Sequence, residues 1–324
     1  MASAPSPGPY LDIDEREAGS RLDRALLRLL GDGSRPLLMR LIRKGNVRVN
    51  GRRAKPESRL AAGDRVFLPA SLRPGAASAP AEGVPAGVLR RAEVTPVLYE
   101  DDWLLAVDKP AGMVVHGGSG HGAGLVEAMK QLRDLPDLRL AHRLDRDTSG
   151  VLLLAKHLES LRRLTASFRE RDMHKTYLAL VAGHPYPHAG RMRSHLAKGV
   201  VRGGERMVVD AEDGKEAVTD FQVMLERRHG DFDWAMVALH PHSGRTHQLR
   251  VQLQAEGHAI LGDAKYGGKG DLAAFRAMGG KGLMLHAWRL RFAHPVTDAS
   301  MEIRASLPSA WREILNEPTS GRAT

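Results

Sequence analysis

Apolar residues recur along the chain in two rhythms. After Gly19-Ser20, Leu22, Leu26, Leu29 and Leu30 fall at helical spacing. Ser34 reads as the N-cap of a second helix, with Pro36 in its first turn, Leu38, Leu41 and Ile42 on one face, and Gly45 as its stop. Val47-Arg48-Val49 then alternates as a short strand, Asn50-Gly51 signals a hairpin turn, and Arg65 to Leu68 follows as a further strand. These signals predict an αα–β unit over residues 12–70. Residues 71–92 turn to Ala, Pro, Gly and Ser with little periodicity, the pattern of a flexible linker.

From 93 to 316 strand-like runs return: Val94–Tyr99, Trp103–Val107, Val151–Ala155, Tyr177–Val181, Trp234–Leu239 and Leu283–Phe292. Helical faces lie between them, one carrying Leu158, Leu161, Leu164 and Phe168, another Leu249 and Leu253. This mixture predicts an α+β domain rather than a doubly wound parallel sheet. Residues 1–11 and 317–324 read as unordered tails.

Composition narrows the chemistry. The 324 residues contain no cysteine, which excludes a disulfide framework, thiolate zinc sites, iron–sulfur clusters and a Cys nucleophile. No apolar run approaches the ~18–20 residues of a membrane helix, and Met1 to Tyr10 lacks the basic and apolar regions of a secretory signal. The expected compartment is therefore the cytoplasm, with no membrane partner. The net charge of +10 hints at a polyanion, and its distribution is more telling. Between Arg35 and Arg59 stand Arg35, Arg40, Arg43, Lys44, Arg48, Arg52, Arg53, Lys55 and Arg59 against one acid, Glu57. Spread over a helix end and a hairpin, these charges can converge on phosphates. The stretch holds no aromatic, so a folded RNA or duplex fits better than base stacking on a single strand.

Four segments carry candidate chemistry. His142-Arg-Leu-Asp-Arg-Asp-Thr-Ser-Gly150 delivers a charged turn onto an apolar strand and flanks Asp145 with Arg143 and Arg146. An ionised carboxylate there can serve as nucleophile or base. A Ser149/His142/Asp145 triad and a plain salt-bridged turn are the competing readings, the triad without a Gly-x-Ser-x-Gly elbow. His240-Pro-His242-Ser-Gly-Arg-Thr-His247-Gln-Leu-Arg250 raises a metal site, or else Arg245 turned toward an anion near a helix start at about Thr246. Lys109-Pro-Ala-Gly-Met-Val-Val-His116, running on into Gly-Gly-Ser-Gly, has the glycines of a phosphate cradle or of a surface loop. His174-Lys-Thr-Tyr177-Leu-Ala-Leu-Val181 starts a strand with Tyr177 near its head.

Taken in order, these four segments resemble the RluA family of pseudouridine synthases over residues 93–308, and residues 19–69 resemble the αL RNA-binding module through Arg-Lys-Gly-x-Val-x-Val-Asn-Gly. The module and His-Gly-Gly-Ser-Gly resemble the RluC-type large-subunit ribosomal RNA enzymes in particular. The resemblance implies a mostly antiparallel mixed sheet with flanking helices. It also implies isomerisation of uridine to pseudouridine in large-subunit RNA, by base flipping and without cofactor or metal, on a monomer. Asp145 takes the catalytic role, whether by attack on the sugar, addition to the base or action as a base. Tyr177 matches the tyrosine against the flipped base, and Arg245 matches the cation paired with the carboxylate, in preference to Arg250. Arg143, His142, Leu249 and His116 fall to substrate binding. Val-Gln-Leu at 251–253 departs from the expected Val-His. The rivals are a silent RNA-binding assembly protein, a synthase for another ribosomal RNA helix or a tRNA, and a histidine-based metal hydrolase.

Overall fold

The computed structural model describes residues 10–15, 17–30, 35–69, 72, 84–117, 123–170, 172–202 and 205–316. They form two compact units, divided between residues 83 and 84.

The first unit contains β1 (Tyr10–Asp12), α1 (Leu22–Leu30), α2 (Arg35–Lys44), β2 (Arg48–Val49), β3 (Arg52–Arg53) and β4 (Arg65–Phe67), with sheet order β1-β4-β2-β3. Leu22, Ala25 and Leu26 of α1 bury against Leu38, Leu41 and Ile42 of α2, as the helical spacing requires. Asn50 and Gly51 both take positive φ, 50° and 76°, the twist that a two-residue hairpin between β2 and β3 needs. The expected tail over 1–11 is corrected at its end: Tyr10 and Leu11 belong to β1, paired antiparallel with Phe67 and Val66. Ser34 and the side chain of Arg35 lie outside the described residues, as do residues 1–9 and 317–324.

The second unit opens with a helix, α3 (Ala86–Glu93), where the sequence reading placed linker up to residue 92. Its Val88, Leu89 and Ala92 join the cluster formed with the next helix, and Arg91 Nη2 donates to Ala111 O at 2.7 Å. Glycine and proline around it mask the helix in composition; here a thin apolar stripe finds a surface to bury against. Then follow β5 (Val97–Glu100), β6 (Leu104–Lys109), α4 (Leu125–Arg133), β7 (Arg139–Leu140), β8 (Ser149–Ala155), α5 (Leu158–Glu170) and β9 (His174–Ala182). The chain continues through β10 (Ala189–Arg202), β11 (Glu205–Asp210), β12 (Lys215–His229), β13 (Phe232–Pro241), α6 (Gln248–Ala255) and α7 (Lys269–Ala277). It finishes with β14 (Leu285–Ala293), β15 (Ser300–Arg304) and α8 (Ser309–Asn316).

These strands build one mixed sheet in the order β11-β10-β12-β13-β9-β14-β8-β6-β5, with β15 on β14 and β7 on β8. Among the described pairs, only β14 and β8 run parallel. There Gly150, at φ 108°, meets Ala287; a Cβ on Gly150 would stand 2.2 Å from Ala287 O. Only glycine lets the two backbones approach so closely. The register then runs Gly150–Ala287–Tyr177–Leu239 across β8, β14, β9 and β13. It therefore brings the turn before β8, the head of β9 and the end of β13 to one edge of the core.

Gln252 fixes α6 against the sheet. It is buried, donates from Nε2 to Ser194 Oγ and Ala217 O (both 3.1 Å), and accepts from Thr219 Oγ1 at 2.7 Å. A buried amide with its capacity this fully used locks a helix in place. The departure from the family pattern at this position is thus a structural bracket. Among the described residues, no helix is long and apolar enough to cross a membrane.

Candidate active site

Two cavities, of about 980 and 470 Å³, share a wall made by Arg143, Leu144, Asp145, His247 and Arg250. The smaller one is closed by Tyr177, Leu249 and Leu285 and rimmed by Arg143, Lys175 and Arg245. The larger reaches His116, Met207 and Lys265. Asp145, partly exposed, is thus within reach of a group in either cavity.

The turn that carries Asp145 is held from below by Lys109. That side chain is fully buried, and its Nζ donates to Pro110 O (3.0 Å), Met113 O (2.8 Å) and Arg146 O (2.9 Å). Burial pushes its ammonium down to about 7, against the pull of Asp147 and Asp145. Its three acceptors match the three N–H bonds of the charged form. The lysine of the Lys-Pro-Ala-Gly segment therefore acts as a clamp across the turn that bears Asp145. Gly117 N and Gly124 N both donate to Glu127 Oε2, at 3.1 and 2.8 Å, so a carboxylate of α4 already fills the anion's place. Residues 118–122 lie outside the described residues.

The cation facing Asp145 is Arg250, which corrects the choice of Arg245. Arg250 Nη1 lies 3.6 Å from Asp145 Oδ2, while Arg245 is exposed and its Nε donates to Glu216 O at 3.4 Å. The reason is local. His247 takes a left-handed conformation (φ 53°) and α6 starts only at Gln248, so Arg250 sits in the first helical turn instead of the second. Asp263, fully buried, holds the same guanidinium in a fork, Nε to Oδ2 at 2.7 Å and Nη2 to Oδ1 at 2.8 Å. The fork and both carboxylates hold Arg250's charge above its ordinary range in spite of burial, and Arg250 in turn lowers Asp263.

His142 also has a structural task. Its Nε2 accepts the Leu153 N–H at 3.0 Å and its ring packs on Phe168 at 4.8 Å, which ties the turn to β8; burial lowers its pKa to about 4. It also lines the smaller cavity. Ser149 gives its Oγ to His286 Nδ1 (2.8 Å), deep in the core, so the triad reading fails. The metal reading finds no support in the geometry: among the described residues no three His, Asp or Glu side chains gather to hold one ion, and His240, His242 and His247 turn to different partners, Thr176, Asp220 and Tyr266. Tyr177 lines the cavity, with its hydroxyl pKa pushed far up by burial and by Asp145. Leu249 is buried in the same wall, Arg143 is exposed where the two cavities meet, and His116 is exposed on the larger one.

Comparison with known proteins follows this geometry. A family model described as RNA pseudouridylate synthase matches residues 103–255, the segment that holds Lys109, Asp145, Tyr177 and Arg250. The chain is 41% identical over 307 residues to ribosomal large subunit pseudouridine synthase C of Pasteurella multocida (strain Pm70), covering 94% of this chain and 92% of that one. The chain belongs to the RNA pseudouridylate synthase family. The protein of the same name from Escherichia coli (strain K12) is 40% identical over 315 residues, with 96% of each chain covered. Two solved human structures, RNA pseudouridylate synthase domain containing 1 and 4, are each 27% identical with a TM-score of 0.56. They cover 66% and 71% of this chain, and 84% and 95% of their own.

As a member of the family, the chain is an isomerase that acts on RNA, and its α+β fold agrees with these neighbours. A model of the S4 domain matches residues 20–66, the basic module. There Arg40, Arg43, Lys44, Arg48, Arg52, Arg53 and Lys55 are all exposed, and among the described residues none of them forms an ion pair. Arg53 bonds Arg43 O and Arg48 bonds Gly45 O, which gathers α2's end and the hairpin into one basic face. Lys175 and Asp263 are site residues that sequence reasoning passed over. The first stood beside Tyr177 in a quoted motif, and the second follows the apolar run Ala259–Leu261 in Gly-Asp-Ala-Lys-Tyr-Gly.

Proposed function

We propose that this isomerase converts uridine to pseudouridine in large-subunit ribosomal RNA, with Asp145 as the reacting carboxylate. The reaction breaks the bond from N1 to C1′ of the ribose and makes one from C5 to C1′. C5 loses a proton and N1 gains one, so no oxidant or cofactor is consumed. The observation that carries the reading is Asp145 on the wall of a 470 Å³ cavity closed by Tyr177 and Leu249, with Arg250 3.6 Å away. That cavity suits one planar base, which a folded RNA must extrude at a cost of a few kcal/mol. Arg143 and Arg245 at the rim then meet the backbone phosphates of the displaced nucleotide. The large-subunit assignment is supported by relatives named for that substrate along nearly their whole length.

The basic module, over about 12–70, supplies sequence-independent phosphate contacts, and the catalytic unit spans 84–316. The protein works as a monomer in the cytoplasm. Asp145→Asn is the test: tritium release from C5-labelled ribosomal RNA is expected to vanish while filter binding of the same RNA persists. Turnover retained by this variant would refute the role of Asp145.

A further inference from the structure

We infer that Tyr266 is a positioning residue that acts through His247, fixing the imidazole tautomer that presents an N–H to Asp145. The inference rests on Asp145 as the reacting carboxylate, and it concerns what surrounds that group. Tyr266 lies in the turn between Leu261 and α7, and β11 approaches it from another part of the sheet. Its hydroxyl oxygen accepts the Val208 N–H at 3.1 Å and stands 2.8 Å from His247 Nδ1. In the arrangement assigned, the oxygen accepts from Val208 and the hydroxyl proton goes to Nδ1, so that the hydroxyl makes one bond in each sense. Nδ1 is then the acceptor, and the ring proton belongs on Nε2.

Nε2 lies 3.8 Å from Asp145 Oδ2, the same oxygen that Arg250 Nη1 faces at 3.6 Å. Both separations are just longer than a hydrogen bond, so a small closure on substrate completes two donors onto one oxygen. The rest of the surroundings agrees. Burial lowers the pKa of His247, and Arg250 and Lys265 oppose its protonation while Asp145 and Asp263 favour it. The ring thus works as a neutral, oriented donor. The left-handed φ of 53° at His247 is a backbone cost borne at the residue that needs this aim. The relay also links β11, whose Met207 lines the larger cavity, to the reacting oxygen.

The test uses the full chain. Nitrogen-15 imidazole spectra of the wild type, with the His247 signals assigned by their loss in His247→Gln, are expected to show the proton on Nε2. A proton on Nδ1 would overturn the inference without any activity measurement. Tyr266→Phe keeps the ring and removes the hydroxyl. Its turnover at saturating RNA is expected to fall roughly ten- to a hundredfold, with unchanged RNA affinity and a His247 spectrum that mixes tautomers. His247→Gln, whose amide N–H can take the place of Nε2–H, is expected to keep more turnover than His247→Ala. Unchanged turnover in Tyr266→Phe, or equal turnover in the two His247 variants, would sink the relay. Failure of the Asp145→Asn test would instead strike the catalytic reading, and the spectra would still report the tautomer.

Discussion

Arg250 divides one guanidinium between two carboxylates: Nε and Nη2 are bonded to buried Asp263, and Nη1 is left 3.6 Å from Asp145. Asp263 thus aims the charge that Asp145 sees. Removing one member of a buried, hydrogen-bonded pair costs about 3–5 kcal/mol. Asp263→Ala is therefore expected to melt several degrees lower than wild type and to lose turnover at saturating RNA, as calorimetry and single-turnover assays would show.

The two arginines of the Arg245-to-Arg250 segment are expected to separate cleanly. Arg250→Lys keeps a charge but cannot form the fork with Asp263, so turnover at saturating RNA falls. Arg245→Ala removes an exposed cavity-rim charge, so the RNA concentration needed rises while saturated turnover changes little. Steady-state kinetics with both variants would read this; the reverse pattern would restore Arg245 as the partner of Asp145.

Lys109→Met removes three donors at once from Pro110, Met113 and Arg146 carbonyls. Methionine fills similar space, so the loss is mainly of hydrogen bonds, at about 1 kcal/mol each or somewhat less once the buried charge is gone. A net destabilisation of about 2 kcal/mol, read as a lower urea midpoint, is expected, together with slowed turnover because the turn bearing Asp145 is no longer clamped.

His286 is fully buried against Ser149, and burial lowers its pKa to about 4 from an ordinary 6.5. Below pH 6.5 the unfolded chain takes up a proton that the folded chain refuses. This contribution is therefore complete above pH 6.5 and is lost as pH falls toward 4, on the order of 3 kcal/mol over the whole range. In His286→Asn, whose amide can still reach Ser149, urea midpoints measured at pH 7 and 4.5 are expected to differ less than in wild type.

Replacing Arg40, Arg43, Arg48 and Arg52 together by Gln takes four exposed charges from the basic face. If each meets a phosphate, the slope of log affinity against log salt drops by roughly 3. Filter binding across a potassium chloride series checks this, and an unchanged slope would remove the module from the RNA contact.

Particular residues show how far the sequence could be read. The spacing of Leu22 and Leu26, the Asn50-Gly51 turn and the apolar run after Ser149 each depend on near neighbours, and each is found in place. Helix α3 and strands β10 to β12 were missed. The first is short and follows a stretch rich in Ala, Pro and Gly, and the others alternate too many polar residues for a period to stand out. With a helix start at about Thr246, Arg250 would lie more than one helical turn further on, which favours Arg245. A single left-handed residue, His247, moved the start and reversed the choice.

By itself, then, the sequence determined the two-part organisation, the basic charge of the first unit, the absence of thiol chemistry and the motif that singles out Asp145, since composition and local pattern carry all of these. The tertiary structure alone decided which cation faces Asp145, that Lys109 and Glu127 bind the chain's own groups in place of a ligand's, and that His142 Nε2 is tied to β8. These are matters of which distant segments meet: Lys109 with Arg146, Arg250 with Asp263, Tyr266 with His247 and Val208. Contacts of that kind are set by sheet register and burial, and no local pattern encodes them.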